Sequence, residues 1–293
     1  RMIAFVIRRL VLGVFTIWLS SVASFVIIQL PPGDFVDSYI AQLAASGSVV
    51  SASEAEMLRK LYGLGQPMYV QYGKWISRVA TGDFGESMMW RRPVTEVIGD
   101  RLWLTLVLSF AALLLTWALA LPIGIYSAVR QYSWGDYAFT LIGFIGIAVP
   151  NFLLALIIMY FSFKLFGANV GGLFSPTMQV QPWSLAKFWD LAKHLPLPAT
   201  ILALAGTAQL IRIMRANLLD ELRKPYVVTA RARGLPERRV ILKYPVRAAL
   251  NPFASNIAYL FPYLVSGSII ISIVLGLPTV GPLLVQALVA QDM

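Results

Sequence analysis

Five stretches of this chain are free of Asp, Glu, Lys, Arg and His and are apolar over most of their length: residues 10–30, 102–129, 137–163, 195–211 and 252–277. About 20 such residues in a row suffice to cross the hydrocarbon core of a bilayer as a helix. Lipid offers no hydrogen bonds to a bare backbone, so segments of this kind must satisfy their own N–H and C=O groups internally. The composition points the same way. With 58% hydrophobic residues, 13% charged residues and a mean hydropathy of +0.72 over 293 residues, the chain is too apolar for a soluble core of this size. These features predict an all-α integral membrane protein with five visible spans. Pro122 and Pro150 interrupt two of them, which predicts kinks that neighbouring helices tolerate. The first stretch is longer than the apolar region of a signal peptide. It runs into Pro31-Pro32-Gly33-Asp34 rather than a small-residue cleavage site. The sequence has no cysteine and one histidine, His194, which excludes disulfides, thiolate chemistry and histidine-based triads or zinc clusters.

The basic residues give the spans a direction. With residues 1–9, 130–136 and 212–251 on the cytoplasmic side, that side holds 14 basic and 4 acidic residues, a net +10. The remaining 10 basic and 10 acidic residues cancel. The outer side then receives 31–101, 164–194 and 278–293. Segment 31–101 is basic in places, but long loops cross largely regardless of charge. Sidedness accounts for the whole positive balance, so nucleic-acid binding is not needed to explain it. Ion-coupled carriers keep ionisable groups at depth and are built from inverted repeats; neither is present, so a self-contained secondary carrier is the weaker alternative. An intramembrane hydrolase would need a group to activate its serine, and the spans hold none. The few polar span residues are Gln29, Asn151, Gln209, Asn256, Ser266, Ser268 and Ser272. Asn151, Gln209, Asn256 and Ser266 are candidates for lining a path, the alternative being helix–helix hydrogen bonds.

Two segments outside the spans carry local signals. In 31–101, Ser53-Glu54-Ala55-Glu56 reads as a capping box ahead of Met57, Leu58 and Leu61, with Gly63 as the stop, giving a short amphipathic helix over about 54–62. Trp75, Ile76 and Val79 recur at helical spacing and Trp90 follows, as in a segment lying at an interface. The plain reading is an external cap and the sharper one a docking surface. In 212–251, Pro225 suits the first turn of one helix, Gly234 its left-handed exit and Pro236 the first turn of a second. Val240, Ile241 and Tyr244 would share a face of that second helix. Two short helices meeting at a glycine make a compact elbow. A loop that only fixed topology would need far fewer residues, so a protein-docking element is the better reading.

The elbow's sequence Tyr226-Val-Val-Thr-Ala-Arg-Ala-Arg-Gly-Leu235, followed by Glu237-Arg-Arg-Val-Ile241, resembles the coupling loop of binding-protein-dependent ABC importer permeases of the dipeptide/oligopeptide/nickel family. It is similar to a degenerate form of the wider "EAA" loop, with Ala230 and Gly234 in register and Val228 where the leading Glu would fall. Further matches are Pro32-Gly-Asp34, Leu61-Tyr-Gly-Leu-Gly-Gln-Pro67, Val70-Gln-Tyr72, Gly82-Asp-Phe-Gly-Glu-Ser87, Pro93-Val94, Leu275-Gly-Leu-Pro278 and Gly281.

The resemblance implies the helical bundle of a type I ABC importer membrane domain, and a function in importing peptides or, in relatives, oligosaccharides, nickel chelates or opine-like solutes. It implies six spans, so a sixth is expected to be missing after Gln291-Asp292, with Val280–Ala290 too short to cross and read as interfacial or re-entrant. It implies three kinds of partner besides lipid: a second related permease, two cytoplasmic ATPases carrying ATP and Mg, and an external solute-binding protein. The chain has no G-x-x-x-x-G-K-[ST] sequence and so is not expected to hydrolyse ATP itself or to hold a cofactor. Thr229, Ala230, Arg231, Ala232, Arg233, Gly234 and Leu235 are the expected ATPase-coupling residues.

Overall fold

The computed structural model describes residues 2–45, 51–167 and 170–292, and among these the regular structure is helical. Fourteen helices follow in chain order: α1 (Met2–Gln29), α2 (Phe35–Ala45), α3 (Ala52–Tyr62), α4 (Met68–Ala80), α5 (Val94–Val129), α6 (Trp134–Ala148), α7 (Asn151–Phe166), α8 (Leu185–His194), α9 (Pro196–Leu222), α10 (Pro225–Ala232), α11 (Glu237–Lys243), α12 (Pro245–Ser255), α13 (Ile257–Val274) and α14 (Val280–Val289). Three of them, α1, α5 and α13, are each long and apolar enough to cross a bilayer, and two bent helical pairs bring the number to as many as five. The chain is a multi-pass membrane protein. It divides into two compact units, residues 1–100 with 283–293, and residues 101–282.

In the first unit α1 is almost bare. Phe25 is its one buried residue, Val22, Val26 and Ile28 are partly covered, and its other apolar side chains face outward as lipid-facing groups do. Phe25 packs edge-on against Tyr72 of α4 at 5.2 Å and lies 6.0 Å from Trp75. The Ser21 hydroxyl meets the Tyr72 hydroxyl at 2.8 Å, and Gln29 Nε2 donates to Gln71 Oε1 at 2.9 Å. Of the residues read as an interfacial face, Trp75 thus lies on the side of α4 that holds α1, together with Gln71 and Tyr72. A small core of Phe35, Val36 and Ala55 joins α2 to α3, and Arg59 clamps both Asp34 and Asp37. The helix expected over 54–62 starts earlier, at Ala52. Its capping box is Ser51 with Glu54, not Ser53 with Glu56. Both pairs have the required spacing, and the earlier register leaves Glu56 free to pair with Lys60 one turn on, at 2.9 Å.

The end of α14 returns to this unit. The Asp292 carboxylate accepts from the Ser87 hydroxyl and from the backbone N–H groups of Met88 (2.8 Å) and Met89 (3.1 Å). Gln291 Nε2 donates to the carbonyls of Ile28 (3.3 Å) and Pro31 (3.1 Å).

The second unit is built around α9. Its buried residues Ile201, Leu202, Leu210, Met214 and Leu218 pack into two apolar clusters shared with α5, α12 and α13. Trp117 of α5 meets Phe253 of α12 edge-on at 4.9 Å. Gly124 lets α5 touch α9, because a Cβ there would fall 2.7 Å from the Met214 Cβ.

Three sequence-based expectations change. The stretch 137–163 is not one kinked helix: α6 and α7 meet at 101°, with Val149-Pro150 at the corner. Pro150 cannot donate a backbone hydrogen bond and biases the residue before it away from helix. The span expected over 195–211 belongs to a helical run over 185–222 that bends by 53° between its 185–204 and 206–222 arms. Helix α9 continues through Arg212 and Arg215 to Leu222, so the segment 212–251 opens as helix rather than loop. The first helix begins at Met2 and so carries Arg8 and Arg9 ahead of its charge-free stretch.

An ion pair accounts for the continuity of α9. Asp136, at the start of α6 and 3% exposed, accepts from Arg215 Nη2 at 2.9 Å and from the Tyr132 backbone N–H at 3.0 Å. Removing one member of a buried pair leaves the other charge uncompensated. Asp136→Asn is therefore expected to destabilise the protein by about 3 kcal/mol. In detergent, chemical denaturation should show that loss and a substantial recovery in the double variant Asp136→Asn/Arg215→Met.

Candidate functional site

Two features of the second unit are candidates for function: the elbow at α10–α11 and a polar cavity along α9. The elbow begins where Pro225 opens α10, and Gly234 follows α10 in a left-handed conformation with φ 74°. No atom lies within 4 Å of where a Gly234 Cβ would sit, so backbone conformation rather than space demands glycine there. Pro236 caps α11 from one residue outside it rather than occupying its first turn.

Val227, Ala230 and Val240 form the elbow's buried core, with Leu235 and Tyr244 packed against it. Ile241 is also buried but faces the other way, into the cluster of α9 and α12. Ala230, expected among the coupling contacts, is enclosed between the two short helices. Thr229, Arg231, Ala232, Arg233 and Gly234 are exposed and Leu235 is half-buried. Val228, in the place of the general loop's glutamate, is an exposed apolar side chain beside them.

Ionic contacts fix the elbow's shape. Arg231 Nη2 donates to Glu237 Oε1 at 2.6 Å, bridging α10 to α11 across the turn. That hydrogen bond holds the Glu237 carboxyl below its usual range and raises the Arg231 guanidinium. The Tyr226 hydroxyl donates to Glu221 at the end of α9. Burial, and then that carboxylate, push the Tyr226 phenol up to about 12, so it remains a donor at any physiological pH.

The cavity, of about 570 Å³, is lined by Ile147 of α6, by Gly206, Gln209, Leu210 and Arg212 of α9, and by Asn256, Tyr259, Leu260 and Tyr263 around α13. Of the four path candidates, Gln209 and Asn256 come together here. Ser266 lies just under one turn beyond Tyr263 and donates to the Pro262 carbonyl at 3.0 Å; Asn151 opens α7 at the corner after Pro150; neither lines the cavity. The sequence reading missed Arg212, Tyr259 and Tyr263. Arg212 was counted for topology alone. Yet Gln209 and Arg212 are three apart on one helix, and Tyr259, Tyr263 and Ser266 follow helical spacing on another, a pattern legible in advance.

With this geometry in place, comparison with known proteins is decisive. Residues 120–293 match the family model of the binding-protein-dependent transport system inner membrane component, and residues 2–109 match the model of the N-terminal part of such membrane components. The chain belongs to this permease family. It is 35% identical to the oligopeptide transport system permease protein AppB of Bacillus subtilis, over 99% of this chain and 89% of that protein. It is 34% identical to a putative peptide permease protein of Brucella ovis over the same shares. It is 33% identical to the glutathione transport system permease protein GsiC of Escherichia coli K12, over 99% of this chain and 88% of that one.

The sign of the elbow's pH dependence follows from Glu237. A carboxylate whose pKa is depressed on folding stabilises the fold above its unfolded value and ceases to do so as pH falls through the folded one. Because Glu237 is more than half exposed, solvent screens the pair and its contribution is a few tenths of a kcal/mol. Protection factors of the α10 and α11 amides, corrected for the pH dependence of intrinsic exchange, should therefore fall modestly as pH drops below the ordinary glutamate range, and Glu237→Gln should abolish that dependence.

Proposed function

We propose that this permease is half of the membrane path of an ATP-driven peptide importer, and that its elbow couples the path to ATPase subunits. The observation that carries this reading is that one helix, α9, runs from the cavity to the start of the elbow. From Gln209 to Leu222 α9 is continuous, about 20 Å at 1.5 Å per residue, and only Arg223 and Lys224 separate it from α10. A push on the elbow therefore reaches the cavity through a packed rod held at Arg215. Tightly packed elements have two arrangements rather than a continuum, which is how a small displacement becomes a switch.

On this reading the chain sits in the inner membrane with its N-terminus and elbow in the cytoplasm, where its basic excess lies. Two cytoplasmic ATPases bind nucleotide and Mg and grip the elbow through Thr229, Arg231, Ala232, Arg233, Gly234 and Leu235, with Val228 as an apolar contact. Ala230 sets the spacing of the two helices. ATP drives the switch only so far as its binding favours one of the two states. A second, related permease closes the other side of the path, and an external binding protein delivers the solute. A peptide cargo is supported by the relatives, two of which are named for oligopeptide or peptide transport and one for glutathione.

Two variants test the two halves of this reading. Gly234→Val forces a β-branched residue into a left-handed turn, at about 1–2 kcal/mol of local strain. It should uncouple ATP hydrolysis from uptake in reconstituted vesicles while the complex still co-purifies; Gly234→Asn, which tolerates that conformation, should transport. Gln209→Trp fills the cavity and should cut uptake of every peptide at least about tenfold, a loss of roughly 1.4 kcal/mol or more. Normal uptake by Gln209→Trp would remove the cavity from the path.

A further inference from the structure

Arg212 differs from its basic neighbours in where it stands: it is the one basic residue among those lining the cavity. Like Arg223, Arg233 and Arg247, and unlike Arg215, Lys224 and Arg231, it makes no ion pair among the described residues, and it is exposed toward the cavity. The side-chain polar atoms of Gln209, Tyr259 and Tyr263 likewise make no hydrogen bond to another described residue. An uncommitted guanidinium, an amide and two phenols thus face one space of about 570 Å³, within the range of small-ligand sites and roomy enough for a short peptide. A guanidinium presents a planar fork of donors that matches a carboxylate with two parallel hydrogen bonds. Phenols and amides can donate further hydrogen bonds, and the tyrosine rings offer apolar surface indifferent to side-chain identity.

We infer that Arg212 is a specificity residue that receives the C-terminal carboxylate of a peptide as it leaves the path. The inference rests on the reading that the cavity belongs to the path. The chemistry favours this ligand because a free carboxylate is what peptides of any sequence share, so one fixed cation can serve them all. The spans themselves, 10–30, 102–129, 137–163, 195–211 and 252–277, supply no charge for this purpose, and Arg212 stands immediately after the fourth.

The test uses the complete reconstituted importer with its binding protein fully loaded, and two probes: trialanine and trialanine C-terminal amide. Arg212→Gln should lower uptake of the free acid about tenfold and lower the acid-to-amide rate ratio with it. Arg212→Lys should recover most of that ratio. Co-purification of the ATPases with each variant controls for assembly. A ratio unchanged in Arg212→Gln overturns the inference, as does an equal loss for both probes. A defect that instead follows the phosphatidylglycerol content of the vesicles would assign Arg212 to a lipid headgroup and also overturn it. If Gln209→Trp blocks uptake while Arg212→Gln leaves the ratio intact, the path reading stands and the carboxylate role alone falls.

Discussion

The continuity of α9 past its last apolar turn is the constraint on which the second unit depends. An arginine at position 215 would ordinarily end a membrane helix or turn to water. Here the buried Asp136 carboxylate meets it at 2.9 Å, so Arg215 can stay on a packed face between Met214 and Leu218. The pair is not a strong source of stability in itself, because desolvating two charges offsets most of their attraction. Its effect is on geometry. It fixes the rotation of α9 about its own axis, and rotation decides which side chains point where. With Met214 and Leu218 directed into the α5 and α12 packing, Gln209 and Arg212 are left on the open side. The cavity's polarity thus follows from a contact outside it.

The same logic explains how the elbow can be both well ordered and available. Its inner face is a closed miniature core of Val227, Ala230 and Val240, and Ile241 anchors α11 to the larger cluster beneath. The outer face keeps Thr229, Ala232, Arg233 and Gly234 exposed. A docking element needs this division, because a mobile loop would lose conformational entropy on every engagement and transmit little displacement. The bridge between Arg231 and Glu237 adds little stability at its exposure. It does restrict the angle between the two short helices at a turn whose glycine would otherwise leave it loose.

Much of this was legible in the sequence, for identifiable reasons. Uninterrupted apolar runs declare themselves because lipid imposes one requirement on every residue in them. The elbow was readable because proline and glycine restrict the backbone locally: Pro225 opens a helix and Gly234 leaves one wherever they stand. Local signals failed where two registers satisfied the same rule, as with Ser51–Glu54 against Ser53–Glu56. They also failed where the deciding partner was remote. Nothing near Arg215 in sequence announces Asp136, and without that partner the extent of α9 past position 211 could not be read. The right-angle corner at Val149-Pro150 was underestimated for a related reason. A proline permits a range of bends, and the angle adopted depends on what the two arms pack against. Of the residues that line the cavity, Gln209 and Asn256 were singled out by polarity alone, whereas Arg212 was passed over because its charge already had a topological explanation.

That second explanation and the cavity are compatible, and their overlap says something about how such a path can work. A site that held its cargo tightly would stop transport, since each bound molecule must leave for the next to follow. Polar groups placed at the mouth of a span, half in solvent, bind more weakly than the same groups buried, because water competes for them and screens their charge. Arg212, Tyr259 and Tyr263 are exposed in this way, and Gln209 with them. On the proposed reading they orient a passing solute without retaining it, and a cation already required there to set the orientation of the span serves the cargo at no further cost in insertion energy. The scarcity of polar groups elsewhere in the spans then reads as a consistent property of the chain. On the proposed reading, affinity for the solute is left to whatever delivers it, and the permease contributes a few weak contacts whose arrangement is set by the rotation of a single helix.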